Sequence, residues 1–415
     1  MSRLEPTNEA SAMQKEISAI AEQRGGRVTK VEQLIQQYCP DGVEYKKLGE
    51  VLGVNRGRRL TKMQLSDDGQ YYVYHGSKDT PLGKYSQFNV KGNTTIVVNT
   101  GGIGGVKFCD DDFWCSDGSF WIGHSDLFND KFVFYYLSPL EPYFASQKRV
   151  GGVPTIDRSV VENVEIPVPP LPVQEEIVRI LDTLTELQAE LQAELQKRLQ
   201  QYNYYRDNIL SFEGRTDIEW KKLGEIATDW YRGAGIKRDE VSKEGIPCIR
   251  YGEIHTTYNI WFDECVSHTD EKKQPTKKYA DYGNILFAIT SEDILFIGNS
   301  VAYIGKERIL VGGDIVVMKH TQNPKYMSYV LSTSDAVMQK GRGKVKSKVV
   351  HTSVPSLKEI IVPIPSLEEQ EKIASILDRF YTFTTDITAG LPAEIEARRK
   401  QYEYYRDKLL TFKKK

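Results

Sequence analysis

The segment Ile166–Asp182 reads IPVPPLPVQEEIVRILD, and it returns at Val362–Asp378 as VPIPSLEEQEKIASILD. Two further segments are also written twice. VEYKKLGEV at residues 43–51 returns as IEWKKLGEI at 218–226, and RLQQYNYYRDNILSF at 198–212 returns as RRKQYEYYRDKLLTF at 398–412. These copies enclose two inserts, Leu48–Thr155 and Leu223–Val350, whose sequences look unlike each other. A duplicated frame around unlike inserts predicts a scaffold that presents two different binding domains in fixed geometry.

The segment after the prolines predicts a long helix. From Gln174 to Phe212, apolar residues recur at steps of three and four without an intervening Gly or Pro. A continuous helix of this length would run about 58 Å, which is too long for a small domain core and requires a partner helix. The second copy supplies that partner, starting at a capping-box pattern from Ser366, and Gly390 with Pro392 is expected to break it.

A tetrapeptide repeat lies inside the first arm, where Glu-Leu-Gln-Ala occurs at residues 186–189 and 190–193 and Glu-Leu-Gln follows at 194–196. A four-residue step lengthens a helix by about 6 Å and turns it about 40° past one revolution. We therefore expect the number of these repeats to set the distance and rotation between the ends of the arm.

Both inserts are rich in β-branched and aromatic residues with frequent Gly and Asx punctuation, which favours mixed α/β domains on twisted sheets. The predicted fold is α+β, with two such domains separated by two long antiparallel, coiled-coil-like helices in a pseudo-two-fold repeat. The expected boundaries are a flexible extension over 1–28, a first domain with an N-terminal helix over 29–155, a first arm over 156–217, a second domain over 218–355 and a second arm over 356–415, broken near Gly390–Pro392.

Composition excludes several classes of protein. The 415 residues carry a net charge of −2, with 40% hydrophobic and 27% charged residues, which is ordinary for a soluble protein. No apolar run approaches the roughly 20 residues of a membrane span, and the N-terminus lacks a signal-peptide core. The five cysteines are scattered and show no zinc-ligand spacing, which fits a reducing cytoplasm.

Catalytic signatures are incomplete in this chain. The carboxylates Asp41 and Glu44 stand too close for a nuclease pair, and Asn323-Pro-Lys-Tyr326 carries a Lys where an amino-methyltransferase motif has a second Pro. The run Gly101–Gly105 lacks the Lys and Ser or Thr that close a P-loop. We expect a non-catalytic chain without a metal site.

Basic and aromatic clusters in the inserts indicate nucleic-acid contact. Arg and Lys can hold phosphates or reach guanine edges, and Gly-Ser turns let backbone approach a duplex. The candidates in the first insert are Arg56, Arg58, Arg59, Lys62, Tyr74, His75, Ser77 and Lys78. A solvated basic turn beside a core strand is the alternative interpretation.

The second insert has a local excess of Lys and Arg, which can form a basic face. Its candidates are Arg232, Lys237, Arg238, Arg250, Tyr251 and His255, followed by the glycine-interleaved residues Lys340, Arg342, Lys344, Lys346 and Lys348. The late loop could track phosphates, or it could be a mobile surface charge run. The Tyr-rich arm ends favour packing at the base of a helical hairpin, with a partner surface as the alternative.

Taken together, the repeated motifs resemble those of the specificity subunit of type I restriction–modification enzymes. The resemblance runs from about Thr29 to Phe412. It rests on the Leu-Gly-Glu entry to each insert, the Ile-Pro-x-Pro…Gln-x-x-Ile…Ile-Leu-Asp entry to each arm and the Gln-Tyr-x-Tyr-Tyr-Arg-Asp ending, which occur in pairs in this order.

The resemblance implies that each insert is a target-recognition domain reading half of a bipartite, asymmetric DNA site, while the helices set the unread spacer. It implies no cofactor on this chain. The implied partners are double-stranded DNA, two adenine-N6 methyltransferase subunits that use S-adenosylmethionine, and restriction subunits that use ATP with Mg²⁺. A coiled-coil scaffold without a DNA role and a stand-alone DNA-binding regulator are the alternatives. The bases read and the spacer length do not follow from the sequence.

Overall fold

The computed structural model of the chain describes residues 30–149, 152–343, 349–385 and 390–415. The predicted extension over 1–28 lies outside these residues. The described residues form two compact units, one made of the chain up to Glu190 with Ile395–Lys415, the other of Leu191–Glu394. We call them unit 1 and unit 2. These units are not the predicted domains, which end the first domain at residue 155 and treat each arm separately, and those boundaries stay a prediction.

Unit 1 begins with helical residues 30–38 (α1). Its next elements are β1 (Tyr45–Lys47), α2 (Leu48–Val51), β2 (Val54–Arg56), β3 (Tyr71–Tyr74), β4 (Gly83–Tyr85), β5 (Thr94–Val98), β6 (Val106–Cys109), β7 (Trp114–Cys115), β8 (Ser119–Ile122), α3 (Asp130–Leu137), α4 (Glu141–Ser146), α5 (Arg158–Glu162) and β9 (Glu165–Pro167). Helix α6 (Leu171–Ser211) starts in unit 1 and ends in unit 2.

Unit 2 continues with β10 (Glu219–Lys222), α7 (Leu223–Ile226), β11 (Ala227–Arg232), β12 (Val241–Ser242), β13 (Ile246–Ile249), α8 (Tyr251–Thr256), β14 (Trp261–Phe262), β15 (Ser267–Thr269), β16 (Tyr279–Ala280), β17 (Ile285–Ala288), β18 (Thr290–Ser291), β19 (Ser300–Tyr303), β20 (Ile309–Val311) and β21 (Ile315–His320). Its remaining elements are α9 (Pro324–Leu331), α10 (Ser334–Gly341), β22 (Val350–His351), α11 (Val354–Lys358), β23 (Ile361–Ile364) and α12 (Leu367–Thr385). Helix α13 (Gly390–Leu409) carries the chain back into unit 1.

The repeated segments that open and close each insert pair with each other. In unit 1, β1 runs antiparallel to β9 with Lys46 opposite Ile166. In unit 2, β10 runs antiparallel to β23 with Lys221 opposite Val362. The duplicated segments therefore form a two-stranded antiparallel sheet at the base of each insert.

The two inserts have the same sheet order although their sequences look unlike. Unit 1 has one sheet ordered β2-β8-β5-β6 and another ordered β4-β3-β7. Unit 2 has the orders β11-β21-β17-β19-β14 and β12-β15-β13-β20-β16, which contain the same series and add edge strands. The central strands β5 and β17 are buried along their whole length, because sheet and helices cover them on both faces. The expectation of unlike inserts therefore holds for their sequences and not for their topology.

A buried glutamine ties the start of each arm helix to its insert. In unit 1, Gln174 accepts a 2.8 Å hydrogen bond from the backbone of Asn129 and donates to the carbonyl of Pro169 at 2.7 Å. In unit 2, Gln370 makes the corresponding bonds with Asn323 at 3.0 Å and Pro365 at 2.9 Å. Both glutamine side chains are fully buried, so these bonds satisfy amide groups that would otherwise be costly to bury.

Helix α6 is a continuous 41-residue helix, as its apolar periodicity predicts. In unit 2 it packs against α12, with Tyr202 6.3 Å from Tyr381 and Tyr205 6.3 Å from Phe380, measured between ring centroids. Arg215, just after the end of α6, donates to Glu369 in the first turn of α12 at 2.7 Å, while Tyr202 meets Tyr381 further along, so the two helices run in opposite directions. Within unit 1, Leu181 and Leu184 of the same helix join the cluster that contains Leu409 of α13.

The second arm consists of α12, which ends at Thr385, and α13, which begins at Gly390. Residues 386–389 lie outside the described part of the chain. Pro392 stands in the first turn of α13, where its missing N–H costs nothing. None of the described helices has the length and apolar character needed to cross a membrane.

Candidate nucleic-acid interface

In each unit, some of the candidate residues lie where the edge strand of one sheet meets the parallel strand pair of the other. In unit 1, β3 and β7 pair in parallel with Tyr74 opposite Cys115, and in unit 2, β13 and β20 pair with Ile249 opposite Val311. The residues that follow, His75 and Arg250, therefore occupy corresponding positions. Both are candidates from the sequence.

The same backbone bonds fix this meeting point in each unit. Arg58 N donates to Cys115 O at 2.9 Å, and Ala234 N donates to Val311 O at 2.9 Å. Immediately before these residues stand Gly57 and Gly233. A Cβ added to either glycine would lie 2.1 Å from a backbone oxygen, so the close approach requires glycine in both units.

An arginine ends the edge strand at each meeting point. Nε of Arg56 donates to the carbonyl of Asp117 at 3.4 Å. Nε of Arg232 donates to the carbonyl of Gly313, and its Nη2 lies 2.6 Å from Oδ1 of Asp314. We call Arg56, His75 and Asp117 the corner of unit 1, and Arg232, Arg250 and Asp314 the corner of unit 2.

In the corner of unit 1, the ring of His75 contacts several polar groups. Its Nδ1 lies 3.5 Å from Oδ1 of Asp117 and 3.2 Å from Oγ of Ser116. The backbone N–H of Gly118 also donates to Nδ1 at 3.2 Å, which leaves Nε2 as the donor of the neutral ring.

Other candidates of the first insert have structural partners. Lys78 Nζ binds the Glu141 carboxylate at 2.7 Å. Ser77 Oγ accepts backbone bonds in its own turn. The ring of Tyr74 packs on Phe113 at 5.8 Å, and burial raises the pKa of Tyr74 to about 12. The side chains of Arg58, Arg59 and Lys62 are exposed and form the basic surface beside the corner.

In unit 2, four of the candidates line one open cavity of about 440 Å³. They are Arg232, Arg238, Arg250 and Tyr251, and Asp314 lines the same cavity. Tyr251 and His255 line a neighbouring cavity of about 360 Å³. His255 Nε2 lies 3.0 Å from the carbonyl of Thr290, and Lys237 is exposed beside the 3-10 turn Arg238–Glu240.

The late basic loop is only partly brought to the surface. The Lys340 ammonium is buried, where it donates to the carbonyl of Leu331 at 2.7 Å and to Oγ of Ser300 at 3.1 Å. This burial lowers the pKa of Lys340 to about 7. Its charge is therefore not presented at the surface, whereas Arg342 is exposed. Lys344, Lys346 and Lys348 lie outside the described residues.

The sequence did not point to the carboxylates of the corners, Asp117 and Asp314. Each stands just before a central strand, far along the chain from its arginine, and only the sheet pairing joins them. The motif at Asn323 is a helix cap, since its side-chain oxygen accepts from Tyr326 N at 2.9 Å. Within the described ranges, no group of three or more His, Cys, Asp or Glu side chains is placed to hold a metal ion.

A family model described as Type I restriction modification DNA specificity domain matches residues 40–201 and again residues 216–397. The chain is 34% identical over 306 residues to a type I restriction enzyme specificity subunit of Escherichia coli, which covers 68% of this chain and 71% of that subunit. It is 29% identical over 392 residues to a putative type I restriction enzyme specificity subunit of Haemophilus influenzae, covering 89% and 96% of the two chains.

Two solved structures share the fold at 17% identity. One is the S subunit of a type I restriction-modification system from M. genitalium, with a TM-score of 0.50 over 89% of this chain and 96% of that chain. The other comes from a study of assembly and conformational transition of the type I R-M system, with a TM-score of 0.56 over 89% and 98%. These likenesses confirm the predicted α+β fold with two mixed domains and long helices.

Proposed function

The chain belongs to the type I restriction-modification specificity family, as the resemblance predicted, and from that membership we propose that it selects the DNA sequence for a type I methyltransferase and restriction complex. Each insert would read one half of a bipartite, asymmetric site. Helix α6, with α12 and α13, would set the length of the unread spacer.

The observation that carries this proposal is the corner present in each unit. Two inserts with unlike sequences hold an arginine and a second donor at corresponding positions of the same backbone frame, with a carboxylate beside them. Donors and acceptors together suit the edges of base pairs, while the exposed cations Arg58, Arg59, Arg238 and Arg342 suit the phosphate backbone. A surface of this kind in both units supports recognition of two separate half-sites.

The arm ends support recruitment of two copies of one partner. Tyr204 and Tyr205 form an edge-on ring pair 5.6 Å apart in unit 2, and Tyr404 with Tyr405 forms the same pair 5.4 Å apart in unit 1. Tyr204 is 64% exposed and Tyr404 62% exposed. An exposed tyrosine presented identically by both units favours one binding mode used twice. We propose that two adenine-N6 methyltransferase subunits dock there and that restriction subunits join the full nuclease.

Catalysis in the proposed complex belongs to the partners. The methyltransferase subunits would use S-adenosylmethionine, and the restriction subunits would use ATP with Mg²⁺. This chain would supply sequence recognition and assembly, and it would work in the cytoplasm beside the DNA.

Binding of the full chain to a randomised duplex library, alone and with its co-expressed methyltransferase subunit, tests the proposal. We expect weak, salt-sensitive binding alone and selection of a split motif in the complex. A split motif selected by the chain alone would indicate a stand-alone regulator. No DNA binding in either sample would indicate a scaffold and would overturn the proposal.

A further inference from the structure

Resting on the proposed function, we propose that the two corners read base edges in the major groove, and that Arg250 is the residue of unit 2 that selects guanine. His75 occupies the corresponding position in unit 1. The corners thus hold the residues that determine specificity, and Arg232 and Arg56 act as positioning residues behind them.

The backbone frame is the same in both units, while the residue at the position proposed to contact a base differs. Ser116 N bonds to Tyr74 O at 2.8 Å in unit 1, and Gly312 N bonds to Ile249 O at 2.8 Å in unit 2. The residue that follows each of these carbonyl groups, His75 or Arg250, is the one that we propose contacts a base. Because the same backbone frame carries a different side chain in each unit, the two units can recognise half-sites of different sequence.

The two arginines in the corner of unit 2 differ in their capacity to bind a ligand. Arg232 is held by the Gly313 carbonyl and by the Asp314 carboxylate, so its charge is offset within the protein. Arg250 differs, since its Nε is buried and has no hydrogen-bond partner among the described residues. Leaving a charged group short of hydrogen-bond partners is unfavourable, and the Arg250 side chain lines the cavity, where a ligand can pair with its guanidinium group.

The groups that line the cavity suit a base edge better than a phosphate. The Asp314 carboxylate lines the same cavity as Arg250 and places an acceptor beside the arginine donors, and a phosphate, which has no hydrogen to donate, would leave that acceptor unused. A G·C pair presents O6 and N7 of guanine, which match an arginine fork, and N4 of cytosine, which donates to a carboxylate. The cavity therefore offers both halves of the pattern that identifies this base pair.

The corner of unit 1 offers a weaker version of the same pattern. Nδ1 of His75 accepts from Gly118 and lies 3.5 Å from the carboxylate of Asp117, and Nε2 is the one ring donor left. A single donor can reach a purine N7 but cannot make the bidentate contact of an arginine. We therefore expect the half-site read by unit 1 to be less strict at the base that His75 contacts.

The experiment is selection from a randomised duplex library by the full chain in complex with its methyltransferase subunit. The variants are Arg250→Lys, Arg250→Ala and His75→Ala, with Lys306→Ala as a control that removes an exposed cation of unit 2. We expect both Arg250 variants to lose preference for guanine at one position by about tenfold or more. The half-site read by unit 1 should stay unchanged in the Arg250 variants. His75→Ala should alter only the half-site read by unit 1.

The outcomes separate the inference from the proposed function. If Arg250 variants bind every sequence more weakly and keep the motif, Arg250 contacts phosphate and the inference is overturned while the proposed function stands. If the unaltered complex selects no split motif, the proposed function itself fails. Thermal unfolding of each variant accompanies the selection, and Arg250→Lys decides the matter should Arg250→Ala fail to fold.

Discussion

The hydroxyl of Tyr135 donates a 2.6 Å hydrogen bond to Oδ1 of Asp182, which joins the insert of unit 1 to its arm helix. Lys131 binds the other carboxylate oxygen at 3.1 Å. Unit 2 repeats the arrangement, with Tyr329 at 2.6 Å and Lys325 at 2.6 Å from Asp378. One aspartate of each copied Ile-Leu-Asp motif therefore locks helix to insert.

Replacing this aspartate should destabilise only the unit that contains it. Asp182→Ala leaves the buried Tyr135 hydroxyl and Lys131 without their acceptor, at a cost of about 2 kcal/mol in the free energy of unfolding. Urea unfolding followed by hydrogen exchange reports each unit separately. The matched variant Asp378→Ala should lower the free energy of unfolding of unit 2 alone. An equal loss of stability in both units would show that each aspartate does not act within its own unit.

A tyrosine pair at corresponding positions should respond in opposite directions to loss of the hydroxyl. Thr185 acts to lower the pKa of Tyr402, as a partner of its hydroxyl does, whereas the buried Tyr202 hydroxyl has no hydrogen-bond partner among the described residues. Tyr202→Phe should therefore stabilise unit 2 by up to about 1 kcal/mol, and Tyr402→Phe should destabilise unit 1 by a similar amount. Thermal or urea unfolding measures both, and destabilisation by Tyr202→Phe would count against the unpaired hydroxyl.

Lys340 should make the stability of unit 2 depend on pH. Burial lowers the pKa of Lys340 from its ordinary value of 10.5 to about 7 in the folded chain. Between these values the unfolded chain binds more protons, so the Lys340 contribution raises the free energy of unfolding with pH, by at most about 1.4 kcal/mol per pH unit. The variant Lys340→Met lacks this pH-dependent contribution to the free energy of unfolding.

The measurement is urea unfolding of the wild-type chain and Lys340→Met at several pH values from 6 to 10. The stability advantage of the Met variant should be largest near pH 6 and should shrink as the pH rises. Taking the difference between the two proteins cancels the titration of the cysteines and tyrosines. A difference that is independent of pH would contradict the shifted pKa.

Deleting one tetrapeptide from α6 should change the spacer of the recognised site and leave both half-sites intact. Removing Glu190–Ala193 shortens the helix by about 6 Å without touching either corner. Methylome sequencing of cells that carry the complex reads the split motif directly. An altered half-site, or an unchanged spacer, would show that the helix does not set the distance.

The exposed arm tyrosines should each support one copy of the partner. Tyr204→Ala or Tyr404→Ala should reduce the bound methyltransferase subunits from two to one, and the double variant should bind none. Tyr282→Ala is the control, because Tyr282 is 65% exposed and lies in the insert of unit 2. Mass measurement of the purified complexes gives the copy number, and two bound copies in either single variant would exclude that tyrosine as a docking residue.

The frame of this molecule follows from the sequence because the duplicated segments meet each other. Lys46 pairs with Ile166 and Lys221 with Val362, so copied strands have copied partners. The long periodic stripe of α6 was also sufficient to predict a continuous helix. In these strands and in this helix, the local sequence pattern predicts the same structure that the tertiary contacts stabilise.

The inserts could not be matched from sequence because their common topology depends on long-range pairing. Buried strands accept many combinations of apolar residues, so β5 (TTIVV) and β17 (ILFA) fill the same place without similarity. The position of Lys340 was equally hidden, since its basic, glycine-rich surroundings suggest solvent while the last turn of α10 directs the side chain inward. Asp117 and Asp314 carry no local signature at all.

Unit 1 is discontinuous along the chain, and this has a consequence for synthesis on the ribosome. Val43 pairs with Lys414, and Tyr45 bonds to the carbonyl of Phe412, so unit 1 closes only with residues that are translated after unit 2. Leu191–Glu394 forms one uninterrupted stretch and is available to fold earlier. Residues 30–190 of the nascent polypeptide therefore stay incompletely covered on the ribosome until the residues after Glu394 leave the exit tunnel.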